Sequence, residues 1–227
     1  MITVTENFRK IQDLLTETIR EAGRPAGSVR LVAVSKTYPA AAVREAVAAG
    51  QRHFGENFVQ EGLAKMQEVG GKDLVWHFIG HLQSNKTRAV AEHFQWVHTV
   101  DRLKTARRLS EQRPYYAGDL NVCIQVNIDE EAGKSGVAPD RVLSLAGSMA
   151  ALPRLRLRGL MCIPALREGF DAQRDPFRRL RILAESLTAA GLAVDTLSMG
   201  MTADFRAAIY EGSTMVRLGT ALFGART

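Results

Sequence analysis

Eight short apolar runs divide the chain, and segments with helical periodicity separate them. The runs lie at 30–35, 52–56, 74–80, 95–100, 120–127, 157–163, 194–200 and 215–219. Strands that alternate with helices are typical of a parallel sheet, and continuous apolar runs indicate strands that are buried on both faces. Eight such units are the number that closes a TIM-type barrel.

We therefore predict an α/β fold, a TIM-like (β/α)8 barrel in a single domain over residues 1–227. An extra N-terminal helix is predicted over 5–22, where apolar residues recur at helical spacing before Gly23. An open doubly wound sheet is the alternative, and the lack of a GxGxxG motif after the first run disfavours a dinucleotide-binding version. Two loops are predicted, 127–140 after the fifth run and 164–177 after the sixth.

The composition disfavours several classes of function. The sequence has no run of eighteen apolar residues, so no membrane span is expected. Charged residues interrupt the N-terminal segment, whereas a signal peptide would have an apolar core there. Cys123 and Cys162 lie in apolar runs, which indicates buried free thiols and a cytoplasmic protein. The net charge of +6 comes mostly from arginine, and we expect the clusters at 154–158 and 178–181 to be solvated faces. No nucleic-acid motif and no HExxH or CxxC spacing occurs, so neither nucleic acid nor a metal is an expected ligand.

A lysine follows the first apolar run, in the stretch "RLVAVSKTYP". A lysine buried without a partner costs several kcal/mol or loses its proton. Lys36 therefore either reaches water or belongs to a site that uses an amine. Active residues of such barrels lie at the carboxyl ends of the strands, and Lys36 and Asn57 follow the first and second runs there. Asn57 fits a cofactor contact and the start of the next helix equally well.

The last two runs end in sequences that suit a phosphate group. "SMGMT" (198–202) and "RLGT" (217–220) each combine hydroxyls, a glycine and a helix start. Loops at these places are the usual phosphate site of TIM barrels, and closure brings the first strand beside the eighth. An amine across from a phosphate cradle predicts a pyridoxal phosphate (PLP) site. Arg217 could face the pyridine nitrogen or form an ion pair with a barrel carboxylate.

Histidines and methionines near these ends have less specific interpretations. His77 lies inside the third run and is expected to be a hydrogen-bonded core residue, whereas His81 lies nearer the barrel mouth. Met199 and Met201 are expected to pack, with backbone amides that face the phosphate.

Several motifs in the same order resemble the pyridoxal phosphate homeostasis proteins, the single-domain relatives of the alanine racemase N-terminal barrel. These motifs are "AVSKTYP", "HFGENFVQE", "WHFIGHLQSNK", "LRGLMCIP", "SMGMTADF" and "GSTMVRLGTALFGAR". The resemblance runs from about residue 5 to Arg226. It implies that Lys36 carries the cofactor as an internal aldimine and that Arg217 faces the pyridine nitrogen. The phosphate-binding positions that it implies are Ser198, Thr202, Gly219 and Thr220.

Two positions depart from the family pattern as we know it. Thr202 stands where serine is common, and it keeps the hydroxyl that phosphate binding needs. Tyr38 stands where a small or charged residue is common, and we expect it to alter the rim of the pocket.

The resemblance leaves two functions open. A racemase needs a base on each face of the α-carbon, and in the racemases a tyrosine from a second domain supplies one of them. The tyrosines here, at 38, 115, 116 and 210, are poorly placed for that role in the predicted barrel. We therefore expect a monomeric PLP-binding protein that buffers the cofactor, and delivers it to apo-enzymes, without robust catalysis. A weak single-domain amino-acid racemase is the alternative.

Overall fold

The computed structural model describes residues 3–224, and in it eight parallel strands form one closed barrel in chain order. The eighth strand pairs with the first, from Arg30 beside Met215 to Ala33 beside Leu218, and this pairing closes the sheet. The strands are β1 (Arg30–Val34), β2 (His53–Glu56), β3 (Val75–Phe78), β4 (Trp96–Val100), β5 (Leu120–Val126), β6 (Leu155–Cys162), β7 (Thr196–Ser198) and β8 (Met215–Leu218). The predicted barrel is confirmed, and an open sheet is excluded.

Nine α-helices occur among residues 3–224, and they cover the outside of the barrel. They are α1 (Val4–Glu21), α2 (Ala40–Ala48), α3 (Val59–Val69), α4 (Thr87–His93), α5 (Leu103–Gln112), α6 (Val142–Ala150), α7 (Phe170–Ala189), α8 (Phe205–Tyr210) and α9 (Thr220–Phe223). Helix α1 is the predicted extra N-terminal helix, and a reciprocal capping box between Thr3 and Glu6 fixes its start. The ends of the predicted domain, residues 1–2 and 225–227 with Arg226, lie outside the described part of the chain.

The buried apolar side chains form two cores. The larger one lies between the barrel and its helices, where the second face of each strand meets the apolar stripes of the helices. The smaller one fills the barrel interior and consists of Val32, Trp96, Cys123, Met161 and Met215. Both cysteines are buried and free, as predicted. Within residues 3–224 no helix is long and apolar enough to span a membrane.

The predicted loop at 164–177 is wrong in its second half. Helix α7 begins at Phe170, after Gly169 with a φ of 83°, and it continues through Pro176. Proline inside a helix removes one backbone donor and is therefore unfavourable there. Pro176 and Phe177 are buried, so the packing of this turn against the barrel offsets the unfavourable proline.

The expectation that the arginine clusters are solvated faces is wrong in part. Arginines of both clusters are partly exposed, but they form ion pairs across elements. These pairs are Arg178–Glu211, Arg179–Asp129, Arg181–Glu211 and Arg158–Asp195. Glu211 is almost fully buried and is approached by three arginines of α7. The arginines of α7 thus form ion pairs with Glu211, directly after α8, and with Asp129, in the loop after β5.

Candidate functional site

A cavity of about 290 Å³ opens at the carboxyl ends of β1, β2, β7 and β8, and seven of the eight predicted site residues line it. These seven are Lys36, Asn57, Met201, Thr202, Arg217, Gly219 and Thr220. Val34, Ile79 and Ile163 supply the apolar part of the lining. The barrel thus brings together the amine, the guanidinium and both glycine-containing loops that the sequence predicted at separate strand ends.

Side chains from α3 hold both peptide groups beside Lys36. The Ser35 carbonyl accepts a hydrogen bond from the buried Lys65 ammonium, and the Thr37 N–H donates to the Glu61 carboxylate. Thr37 has a φ of 67°, a left-handed conformation that threonine rarely adopts without support from its surroundings. These contacts fix the direction in which Lys36 leaves the strand. Lys36 itself is half-buried.

Lys65 also belongs to a buried ionic cluster behind Lys36. Lys65 Nζ lies 2.8 Å from Glu56 Oε1 and 2.7 Å from Glu61 Oε1, and the Ser35 hydroxyl donates to Glu56 over 2.6 Å. Glu56 is fully buried, and its Oε2 atom has no hydrogen-bond partner among the described residues. Burial raises the pKa of Glu56, and the hydrogen bonds from Lys65 and Ser35 oppose that shift.

Arg217 lies in β8 with its guanidinium at the floor of the cavity. Its Nη1 donates to the Ser198 carbonyl at 2.7 Å and to the Ser198 hydroxyl at 2.8 Å, and its Nη2 donates to the Cys162 carbonyl at 3.0 Å. Within residues 3–224 no carboxylate forms an ion pair with it, which removes the alternative role considered above. Burial lowers the pKa of Arg217, yet an arginine remains protonated in proteins.

The two loops that follow β7 and β8 approach the cavity with their backbone. Gly200 has a φ of 97°, and a Cβ there would lie 2.7 Å from the Ala208 Cβ, so only glycine fits this turn. A Cβ on Gly219 would lie 3.1 Å from the Val34 carbonyl oxygen. Thr202 and Thr220, which carry the hydroxyls of these turns, are exposed residues. The helices that follow, α8 and α9, are only six and four residues long, so hydroxyls and loop amides are the main anion donors here.

Three predicted contacts have a different arrangement in the structure. The Met201 N–H, expected to face a phosphate, donates to Asp204 Oδ1 at 2.6 Å. Ser198 does not line the cavity, because its hydroxyl is buried and bonded to His98 and Arg217. Tyr38, expected at the rim, is buried and donates its hydroxyl to the Gly224 carbonyl at 2.6 Å.

Asn57 and His81 lie on the side of the cavity that faces α3. Asn57 borders the cavity, and its buried Oδ1 atom has no hydrogen-bond partner among the described residues. His81 is exposed and lines two adjoining depressions instead, where Ser135 Oγ lies 3.4 Å from its Nδ1. Asn57 therefore offers an unused acceptor to a ligand of the cavity, and His81 stands outside it.

Sequence reasoning missed two polar residues inside the barrel, His53 and His98. His77 is a hydrogen-bonded core residue, as predicted, but it lies between His53 and His98 in a line of three imidazoles. Burial lowers the pKa of His53 to about 4 and that of His98 to about 3. The sequence carried a signal for this line, because β2, β3 and β4 each contain one histidine.

The fold and the cavity define a racemase-type barrel, and comparison with known families agrees. The family model of the alanine racemase N-terminal domain matches residues 11–227. An alanine racemase from Corynebacterium glutamicum has the same fold at a TM-score of 0.72 and 20% identity, over 98% of this chain and 60% of the racemase chain.

Relatives of higher identity narrow the assignment. The pyridoxal phosphate homeostasis protein of Pseudomonas aeruginosa is 58% identical over 100% of this chain and 97% of its own length. The protein of the same name from Escherichia coli is 50% identical over 100% and 98%. The structure of PipY from Synechococcus elongatus with PLP bound matches at a TM-score of 0.84 and 39% identity, over 98% of this chain and all of PipY. The chain belongs to the pyridoxal phosphate homeostasis protein family.

Proposed function

We propose that this chain binds PLP in the cavity at the barrel mouth and takes part in the intracellular homeostasis of that cofactor. The observation that carries the proposal is the convergence of Lys36, Arg217 and the two glycine loops on one cavity. The PLP-bound PipY structure and the names of the relatives support it. When bound, PLP supplies an aldehyde that reacts reversibly with amines and a ring that withdraws electrons.

The residues of the cavity fit the groups of PLP. Lys36 Nζ would attach to the aldehyde, and Arg217 would direct an N–H towards the pyridine nitrogen and keep a proton off that atom. The orphaned Oδ1 of Asn57 would accept a hydrogen bond from the bound ligand. Gly219 lets the backbone approach closely at the end where Thr220 offers its hydroxyl.

The phosphate would be held by neutral donors of the two loops. Thr202, Gly219 and Thr220 present hydroxyls and amides to the cavity, and the Met201 amide would join them once released from Asp204. Ser198 is the predicted phosphate residue whose side chain is engaged elsewhere, so its contribution would come through Arg217.

We propose that the protein stores and releases PLP, and delivers it to apo-enzymes, without robust catalysis of its own. Among the described residues no tyrosine lines the cavity to act as a second base opposite Lys36. Tyr38 is bonded to a backbone carbonyl, Tyr210 packs on Phe170 in α7, and Tyr115 lies at the opposite end of the barrel with its ring exposed. A weak amino-acid racemase remains the second candidate, because the fold and the lysine are shared with the racemases.

We further propose that residues 1–227 act as one domain, as a monomer, in the cytoplasm. The two buried free thiols support a reducing compartment. The site supports a monomer, because all the residues that we assign to PLP binding come from one barrel and no second chain is needed to complete it.

The experiment is a transfer assay. The PLP-loaded protein is mixed with an apo form of a PLP-dependent enzyme, and the regain of that enzyme's activity is followed beside free PLP at the same concentration. If the protein stores PLP, we expect complete reactivation that is slower than with free PLP. When a reagent that traps free aldehydes is added, the bound PLP should be protected from it and reactivation should persist. Incubation with L-alanine in D2O tests the alternative. Formation of deuterated D-alanine over many turnovers per protein molecule would establish a racemase and overturn the proposal that the protein lacks robust catalysis.

Lys36→Ala is the matched variant for both assays. It removes the amine and leaves the phosphate loops, so we expect weak retention of PLP without the covalent spectrum. An unchanged spectrum in Lys36→Ala would overturn the assignment of Lys36.

A further inference from the structure

Three imidazoles inside the barrel connect its amino-terminal end to Arg217 at the floor of the cavity. His53 Nδ1 lies 2.9 Å from His77 Nε2, and His77 Nδ1 lies 2.9 Å from His98 Nε2. His98 Nδ1 lies 2.7 Å from the Ser198 hydroxyl, which accepts from Arg217 Nη1 at 2.8 Å. We call these four residues, His53, His77, His98 and Ser198, the histidine chain.

The strand register explains why the histidine chain is continuous. His53 pairs with Val75, and His77 lies two residues further along β3. His77 in turn pairs with Trp96, and His98 lies two residues further along β4. Since side chains two residues apart share a face of a strand, all three imidazoles point into the barrel, and each step climbs by one pleat.

The hydrogen-bonding groups at the Arg217 end determine which atom donates and which accepts in each hydrogen bond of the histidine chain. Arginine has five N–H donors and no acceptor, so the Ser198 oxygen must accept from Arg217. The hydroxyl hydrogen then finds its acceptor at His98 Nδ1. If His98 donated instead, the buried hydroxyl would receive two donors and would need a third group for its own hydrogen. An acceptor at His98 Nδ1 places its hydrogen on Nε2, and the same step repeats at His77 and His53.

The charges at the two ends favour the same direction. Arg217 is buried, whereas Arg30, the charged residue near His53 at the other end, is exposed to solvent that screens it. The lone pair of His98 Nδ1 therefore faces the stronger positive charge.

We propose that the histidine chain positions Arg217, and that His53, His77 and His98 all carry their hydrogen on Nε2. The chain keeps the lone pairs of the Ser198 hydroxyl turned towards Arg217, so that the guanidinium is held from the side away from the cavity. Because Arg217 does not give up its proton, the chain conducts no proton to the cavity. The tautomers and the immobility of Arg217 do not depend on PLP; only the consequence for PLP affinity rests on the proposed function.

The first test uses nitrogen NMR of the 15N-histidine-labelled protein without cofactor at pH 7.5. We expect a pyrrole-like Nε2 and a pyridine-like Nδ1 in the buried His77 and His98 and in the half-buried His53, and the exposed His81 and His93 serve as references. A hydrogen on Nδ1 of any of these three rings would overturn the proposed direction.

The second test separates positioning from packing with two variants of one residue. His98→Asn keeps an acceptor oxygen where Nδ1 stood, whereas His98→Leu has none. In His98→Leu we expect the slowly rotating Arg217 N–H signals to disappear and the PLP affinity to fall about tenfold. In His98→Asn both are expected to be largely restored.

The outcomes of these tests are distinct. Equal losses in the two His98 variants would mean that the ring only fills space, and the positioning role would be wrong. If the Arg217 signals respond as expected while the wild-type protein fails to bind PLP, the proposed function fails and the inference stands.

Discussion

Lys65→Met should destabilise the protein strongly because it breaks a buried ionic cluster on one side only. Lys65 Nζ donates to Ser35, Glu56 and Glu61, and Glu56 is fully buried. Removal of one partner of a buried pair typically costs about 3–5 kcal/mol, since the remaining charge has no compensation. That is a large part of the usual stability of about 5–15 kcal/mol.

Protonation of Glu56 limits the loss of stability in Lys65→Met and makes that loss depend on pH. Burial raises the pKa of Glu56, and loss of Lys65 removes a hydrogen bond that opposes this shift, so the neutral form of Glu56 becomes more favourable in the variant. A pKa raised in the folded state means that the folded protein binds the proton more tightly. The variant is therefore expected to gain stability relative to wild type as the pH falls from about 8 to 5, with the largest deficit at high pH.

The assay is urea unfolding followed by tryptophan fluorescence, at several pH values. Glu56→Gln in the Lys65→Met background should recover part of the loss, because no charge is then left buried. Lys72→Met is the control, since Lys72 is exposed and its loss is expected to stay within about 0.5 kcal/mol. A cost below about 1 kcal/mol for Lys65→Met, or one that does not change with pH, would refute the reasoning.

Three further predictions concern pH, backbone and charge. His77 and His98 stay neutral in the fold, and the pKa of His98 is lowered to about 3, whereas the unfolded chain protonates both near pH 6.5. Together with His53, whose pKa is lowered to about 4, they should lower the free energy of unfolding by about 6 kcal/mol from pH 7.5 to 5, and His98→Asn should remove about a third of this change in urea titrations. Gly200→Ala should cost about 1–3 kcal/mol and weaken PLP binding, measured by thermal unfolding and fluorescence titration, because φ is positive and the space is filled. Asp204→Asn keeps an acceptor for the loop amide and removes a negative charge, so PLP affinity should rise about three- to tenfold; an unchanged dissociation constant would contradict the phosphate assignment of this loop.

The barrel and most of the residues that line the candidate site could be predicted because their positions depend on strand order. Continuous apolar runs mark buried parallel strands, and parallel strands bring their carboxyl ends to one mouth. Lys36 and Arg217 were therefore predictable as neighbours although they are far apart in the sequence. The lining of the cavity also includes Asn57 and both glycine loops, as the strand ends indicated.

The contacts that could not be predicted depend on side-chain geometry rather than on strand order. The pairing of Met201 with Asp204 and the engagement of Ser198 follow from local turn geometry and from which strand face a residue occupies. The histidine chain could be predicted only from the register between neighbouring strands, and that register cannot be read from the sequence. The first part of helix α7 was predicted as a loop. Pro176 is locally unfavourable in a helix, and the tertiary packing that offsets it cannot be seen in the sequence.

Borohydride reduction with peptide mapping tests the central claim most directly. The purified protein is incubated with PLP, reduced and digested, and the modified peptide is identified by mass. The account predicts a single reduced cofactor on the peptide that contains Lys36, and its loss in Lys36→Ala. A protein that takes up no PLP, or a cofactor fixed mainly to another lysine, would contradict the assignment of this cavity.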